Sequence, residues 1–264
     1  RSMLRPVLKG YRVMMVQTSD DRDRFVGIGA DESKIKVLGS LKFDAPHYQT
    51  LPEKKSALKA SLPFAKNSRI LVAGSTRNKE NEYILDTYRK LVDEFRDIRL
   101  VLVPRHLERV GEVKEISERY GFRYTLYSRL GRCSDDKDVL IVDRMGVLND
   151  LYSVSDIAFV GGTLVDIGGQ NILEPVWAGI PVLYGPSIYN VRDSSNYILE
   201  GGHGDMVQNL DELCEKLRKF FGGELHYKKR DTSSGGPSRA RKTAEIILNC
   251  VQADADFVAK SNRE

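Results

Sequence analysis

The sequence predicts an α/β protein built on a parallel sheet flanked by helices. Three observations carry that prediction. Short apolar runs recur along the chain, and most are uninterrupted instead of alternating, as strands covered on both faces must be. Longer stretches with apolar residues at helical spacing lie between them. Strand, then helix, then strand implies right-handed crossovers between parallel neighbours.

The runs predict strands at 13–17, 35–38, 70–73, 100–103, 139–142, 157–160 and 181–184. A helix is expected over 20–28, between the first two strands, and another over 49–62. In 78–95 the residues Tyr83, Ile84, Tyr88, Leu91 and Phe95 form one stripe, and 106–120 shows similar spacing. A last helix is expected over 238–258, with Ala244, Ile247 and Val251 on one side. Lys, Arg, Ser and Gly crowd residues 227–242, which reads as a surface loop.

At roughly 150 residues per domain, 264 residues allow one large domain or two small ones. A boundary is expected near residue 45. Residues 1–45 hold one strand–helix–strand unit, too small for its own core, which reads as the end of one domain and its joining segment. Residues 46–264 read as a second domain. The chain opens Arg1-Ser2-Met3, without a Met at position 1, which suits a piece of a longer protein.

Lys plus Arg number 41 against 37 for Asp plus Glu, a net charge of +4. That mild excess suits an anionic ligand, a membrane surface or simply a solvated exterior. The basic residues are scattered apart from 227–242, which argues against nucleic acid. The longest uncharged stretch, 175–191, is interrupted by Pro175, Gly179, Pro181, Gly185 and Pro186 and is shorter than the ~20 residues of a membrane-spanning helix. Cys133, Cys214 and Cys250 are odd in number and far apart, which argues against a disulfide scaffold or a zinc module and for a reducing compartment.

In open α/β sheets ligands bind beyond the carboxyl ends of the strands. The unusual residues gather there: Gly74-Ser75-Thr76-Arg77, Pro104-Arg105-His106, Asp143-Arg144-Met145-Gly146, Gly161-Gly162-Thr163 with Gly168-Gly169-Gln170-Asn171, and Gly185-Pro186. Ser75 and Thr76 either hold a phosphate at a helix start or cap that helix. Arg105 is either a surface cation or an anion contact. His106 is open to binding, catalysis or capping. The glycine loop lets backbone approach a ligand closely. Glu174, one turn into the next helix, can accept hydrogen bonds from the vicinal hydroxyls of a ribose, or serve the helix dipole. The co-occurrence of loop and acid favours a ligand. Neither a dinucleotide fingerprint nor a Walker lysine pattern is present, which argues against hydride transfer and P-loop chemistry.

Read in order, several motifs resemble one family. They are Gly39-Ser40-Leu41-Lys42-Phe43-Asp44, Val103-Pro104-Arg105-His106, Met145-Gly146, the run Phe159-Val160-Gly161-Gly162 continuing through Gly168-Gly169-Gln170-Asn171-Ile172-Leu173-Glu174-Pro175, and Pro181-Val182-Leu183-Tyr184-Gly185-Pro186. Together they resemble the 3-deoxy-D-manno-octulosonic acid (Kdo) transferases of lipopolysaccharide synthesis, over about residues 16–208, with 161–175 the most diagnostic piece. The resemblance implies the GT-B architecture of two Rossmann-like domains: most of the donor domain is here, with a remnant of the acceptor domain before it. It implies inverting transfer of Kdo from CMP-Kdo to a lipid A precursor, with CMP released. It implies no cofactor and no metal. The implied location is the cytoplasmic face of the inner membrane, with contact to the membrane surface.

Carried over by motif, the implied CMP contacts are Pro104, Arg105, Met145, Gly146, Val147, Asn171, Ile172, Leu173 and Glu174, with Ser75 and Thr76 as further donor contacts. Lys42 is the implied stabiliser of transition-state charge. The family's catalytic base lies in the acceptor domain and matches no segment before residue 13, so this chain alone is expected to bind donor without transferring it. The chain departs from the family pattern at Arg77, Val147 and Gln170, where His, Glu and His are usual. Gln170 keeps hydrogen-bonding capacity without charge, and Val147 keeps only a backbone contact. Two rival readings stay open: another GT-B protein using a UDP-sugar, whether transferase or epimerase, and a nucleotide-binding module without turnover.

Overall fold

The computed structural model describes residues 4–44, 51–131, 136–230 and 238–261. Cys133, the joint at 45–50 and residues 231–237 of the expected 227–242 loop lie outside the described residues, and 239–242 already belong to the C-terminal helix. The chain forms two compact units, residues 1–46 with 233–264, and residues 47–232.

In the first unit, helix α1 (Arg5–Gly10) leads into strand β1 (Met14–Val16), helix α2 (Ser19–Gly27) and strand β2 (Ile35–Val37). The two strands pair in parallel, Met14 opposite Ile35. Thr18 starts α2 with a reciprocal cap: its hydroxyl accepts from the Asp21 N–H, and the Asp21 carboxylate accepts from the Thr18 N–H. The core is small: Leu8, Met14, Val16 and Ile35.

The long C-terminal helix, Arg239–Ser261, belongs to this first unit and not, as expected from sequence, to the second. The physical reason is Asp44. Its carboxylate accepts from the Ser238 hydroxyl at 2.8 Å and from the N–H groups of Arg239 at 3.0 Å and Ala240 at 2.6 Å, capping the helix. Burial alone raises the carboxyl pKa, yet these bonds and Arg239 together hold it below the usual range. The Arg239 guanidinium also lies 5.7 Å from the Phe43 ring centre.

The second unit carries a seven-stranded sheet, every pairing parallel. Helix α3 (Pro52–Ser61) precedes β3 (Arg69–Thr76), α4 (Glu80–Val92), β4 (Ile98–Pro104), α5 (Val110–Arg119), β5 (Tyr124–Leu126) and β6 (Val139–Ile141). Then come α6 (Leu148–Ser153), β7 (Ile157–Val160), α7 (Leu173–Trp177), β8 (Val182–Tyr184), α8 (Arg192–Gly201), β9 (Gly204–Met206) and α9 (Leu210–Gly222). The spatial order is β5-β6-β4-β3-β7-β8-β9. The core is centred on Leu71, Ala73, Leu100, Leu102, Ile157 and Phe159, all buried, as uninterrupted apolar runs require. From β3 the chain winds outward through β4 and then, after returning, outward the other way from β7. The order therefore reverses between β3 and β7, and the crevice beyond their carboxyl ends is where such folds take ligands.

Candidate functional site

A cavity of about 450 Å³ opens at that reversal. Its walls come from the ends of four elements: Ser75 late in β3, Val103 to Arg105 at the end of β4, Arg144 to Gly146 with Leu148 and Asn149 after β6, and Gln170, Asn171 and Glu174 around the start of α7.

The β3 exit is irregular. Pairing with β4 shifts between Gly74 and Thr76, so Ser75 is the extra residue, with φ of 54°. Asn78 also has positive φ, 48°. The expectation that Ser75 or Thr76 caps the following helix is not met. The helix begins at Glu80, and Thr76 is buried inside the strand with its hydroxyl 2.6 Å from Asn81 Oδ1. Ser75 lines the cavity; Thr76 does not.

At the end of β4, the Arg105 N–H donates to the Thr76 carbonyl at 2.9 Å, which fixes its backbone beside the β3 exit. Its side chain is exposed and lines the cavity. His106 is exposed, makes no side-chain cap and sits 3.5 Å from Glu108, away from the cavity lining. After β6, Asp143 accepts from the Ser128 N–H at 2.9 Å and the Ser128 hydroxyl at 2.6 Å, anchoring the turn that presents Arg144, Met145 and Gly146. Gly146 has φ of +83°, a conformation that a side chain would disfavour. Val147 precedes α6 and does not line the cavity.

After β7 the glycine loop folds back on itself: Gly169 N–H donates to Gly162 O at 2.7 Å, and Gln170 N–H to Gly161 O at 3.3 Å. Asn171 then organises the start of α7. Its Oδ1 accepts from the Leu173 N–H, and its Nδ2 donates to Glu174 Oε1, both at 3.2 Å. Ile172 and Leu173 are buried and anchor this turn to the core, with no side chain in the cavity lining. Glu174 is half-buried. Burial pushes its carboxyl pKa up, against the Asn171 hydrogen bond and the positive charge of Arg105.

The structure thus gathers Ser75, Pro104, Arg105, Met145, Gly146, Asn171 and Glu174 around one space. It places Lys42 in a short turn of 3₁₀-helix, Leu41–Phe43, of the first unit, exposed. Sequence reasoning set Arg144 and Gln170 among the residues gathered at the strand ends without assigning either a contact, and it passed over Leu148 and Asn149; a cation directly before the Met-Gly pair was a usable signal. It also passed over Glu80, whose burial no local pattern marks. Two arginines, a carboxylate, three amides and the exposed Met145 suit a ligand with an anionic group, hydroxyls and a flat apolar part. Among the described residues no group of His, Cys, Asp and Glu is arranged to hold a metal.

This sheet with its crossing order has the Rossmann-like domain fold found in GT-B glycosyltransferases and epimerases. The C-terminal CMP-Kdo binding domain of WaaA from Acinetobacter baumannii superposes with a TM-score of 0.59 at 23% identity, over 74% of this chain and 96% of that one. UDP-GlcNAc 2-epimerase from Neisseria meningitidis gives 0.56 at 17% identity, over 90% of this chain and 61% of that one. At such identities the likeness speaks for the fold alone.

The sequence comparisons are more specific. Residues 1–45 match the family model described as 3-Deoxy-D-manno-octulosonic-acid transferase (kdotransferase). The chain is 33% identical over 233 residues to the 3-deoxy-D-manno-octulosonic acid transferase of Aquifex aeolicus, covering 88% of this chain and 60% of that protein. It is 35% identical over 193 residues to that of Chlamydophila psittaci, covering 72% and 43%. It is also 35% identical to a bifunctional glycosyltransferase/methyltransferase of Fusobacterium nucleatum, covering 81% and 33%. The chain is thus similar in sequence to Kdo transferases, and it spans between a third and three fifths of the length of these relatives.

Proposed function

We propose that residues 47–232 bind the CMP moiety of CMP-Kdo, and that the protein serves the inverting transfer of Kdo from that donor to a lipid A precursor. The observation that carries this reading is the placement of Arg105 and Glu174 on the walls of one cavity at the sheet reversal. In the proposed complex Glu174 accepts from the ribose hydroxyls, Arg105 contacts the phosphate, and the Met145-Gly146 turn lies against the base. Arg144, Asn149 and Gln170 join that set.

The leaving CMP phosphate gains negative charge as the sugar bond breaks, and fixed cations lower the barrier. Arg105 supplies one from this unit. Lys42 is the proposed second, on the strength of its Leu-Lys-Phe-Asp context. The general base for the acceptor hydroxyl is assigned to no residue of this chain. The reading calls for no cofactor or metal, and for a reaction at the cytoplasmic face of the inner membrane, where the lipid acceptor lies.

The test is ligand choice by calorimetry. Tighter binding of CMP than of UMP supports the reading. Preference for UMP replaces it with a UDP-sugar protein, and binding of neither removes the nucleotide assignment.

A further inference from the structure

Glu80 is an acid in the stretch Asn78-Lys79-Glu80-Asn81-Glu82, which by sequence looks like a solvated helix start. Yet it is fully buried. Its carboxylate accepts four backbone N–H groups, two on each oxygen. Arg77 at 2.8 Å and Gly162 at 2.7 Å donate to Oε2; Thr163 at 3.1 Å and Leu164 at 2.9 Å donate to Oε1. Three successive N–H groups converging on one point form a concavity that attracts anions. In the glycine loop that concavity is filled by the protein's own carboxylate. A buried carboxylate is costly unless its acceptor sites are satisfied, and these four bonds satisfy them.

The contact joins the two strands that flank the sheet reversal. Arg77 follows β3, and Gly162 to Leu164 follow β7. Gly161 is pressed into the same place: a Cβ there would lie 2.5 Å from Thr76 Cα and 2.8 Å from Glu80 Oε2. From this point the loop runs on to the cavity through two further bonds, Gly169 N–H to Gly162 O and Gln170 N–H to Gly161 O. The Thr163 hydroxyl adds a branch, donating to Val160 O at 2.7 Å and accepting from the Gly185 N–H at 2.8 Å. Gln170, Asn171 and Glu174 lie directly beyond.

We propose that Glu80 is a positioning residue for the cavity: by holding the N–H groups of Gly162, Thr163 and Leu164 it sets the glycine loop and, through Gly169 and Gln170, the wall that carries Asn171 and Glu174. Its effect on nucleotide affinity rests on the CMP reading above; its effect on the loop does not. A corollary is that these three N–H groups are unavailable to a ligand phosphate, which falls to other donors such as Arg105.

Glu80→Gln keeps the shape but turns one oxygen into an NH₂ that faces two N–H donors. Amide hydrogen exchange then reads the loop without ligand. The expected result is faster exchange at Gly162, Thr163 and Leu164, and also at Gly169 and Gln170, by ~10-fold or more, with Leu100 to Leu102 in β4 unchanged. CMP affinity should fall by roughly tenfold. If the Gln variant does not fold, Glu80→Asp, which keeps the charge but withdraws it by one methylene, is judged by the same criterion. Unchanged exchange at Gly169 and Gln170, or CMP affinity within twofold of wild type, overturns the positioning role. If wild type binds no CMP, the nucleotide reading fails, and exchange at Gly169 and Gln170 still decides on Glu80.

Discussion

Glu174→Gln separates the charge of the carboxylate from its shape. In the structure Asn171 Nδ2 holds Oε1 at 3.2 Å, and no hydrogen bond among the described residues engages Oε2. A ribose diol would place its donors on this pair. The Gln variant keeps one acceptor, loses the charge and turns the other site into a donor. The loss is about one charge-assisted hydrogen bond, ~1.5–3 kcal/mol before desolvation is discounted. At ~1.4 kcal/mol per decade the expected net effect on CMP affinity is about tenfold. Affinity for 2′,3′-dideoxy-CMP should change far less. The pH profile gives a second reading. Burial raises the Glu174 pKa above its ordinary 4.5, so wild-type CMP affinity should decline as pH falls through the raised value by more than that of the Gln variant, in which the phosphate of CMP still titrates but this carboxyl does not.

Stability should move the other way. Between 4.5 and the raised value the folded state holds a proton that the unfolded chain has released. The difference in bound protons, unfolded minus folded, is therefore negative, and this residue's contribution to stability falls as pH rises through that window. Above that window the penalty is complete, and there Glu174→Gln should leave the ligand-free protein at least as stable as wild type. Calorimetry against both nucleotides and urea unfolding make the assay. Equal weakening of CMP and the dideoxy analogue, together with lost stability, would refute the ribose assignment and make Glu174 a residue that merely orders its turn.

Three further outcomes are expected. Arg105→Ala should weaken CMP by ~10- to 100-fold and cytidine hardly at all, because only CMP carries the phosphate; equal losses would remove the anion role. Gly161→Ala forces the β7 exit away from Thr76 Cα and the Ser75 carbonyl, 2.5 Å and 2.6 Å from the added carbon. It should cost ~1–3 kcal/mol of stability, read as a lower urea midpoint, and an unchanged midpoint would show that the turn has slack. In a full-length protein that carries the whole acceptor domain, Lys42→Ala should lower Kdo turnover from CMP-Kdo by ~10²-fold if the lysine offsets transition-state charge, whereas a plain surface lysine predicts a change within about twofold.

Some of the architecture was legible in the residues. Strands β3, β4, β6, β7 and β8 are covered on both faces, so their positions are almost all apolar and stand out in the sequence. Strands β5 and β9 were not legible. Each lies at an edge of the sheet, is three residues long and mixes polar with apolar residues, Tyr124-Thr125-Leu126 and Gly204-Asp205-Met206. Helix α9 could have been found, since Leu213, Leu217 and Phe221 recur at helical spacing and are buried. At the cavity, Arg105 was legible because it directly follows a strand, and Glu174 because it sits in the first turn of the helix that follows the glycine loop. The Ser75-Thr76 pair was half legible, because a bulge that turns Ser75 outward and Thr76 inward leaves no mark in composition.

Periodicity and punctuation are local, and whatever depends on them alone was settled by the sequence: the alternation of strands and helices, the parallel sheet, and the gathering of unusual residues at one sheet edge. The tertiary structure decided what depends on partners far along the chain. Asp44 caps a helix about 195 positions later and so assigns the C-terminal helix to the first unit. Glu80 meets Gly162, Thr163 and Leu164 across more than 80 positions. A carboxylate carries the same signature in sequence whether it is solvated or ringed by backbone donors. Only the fold sets its surroundings, and with them whether it stays on the surface or holds a loop in place.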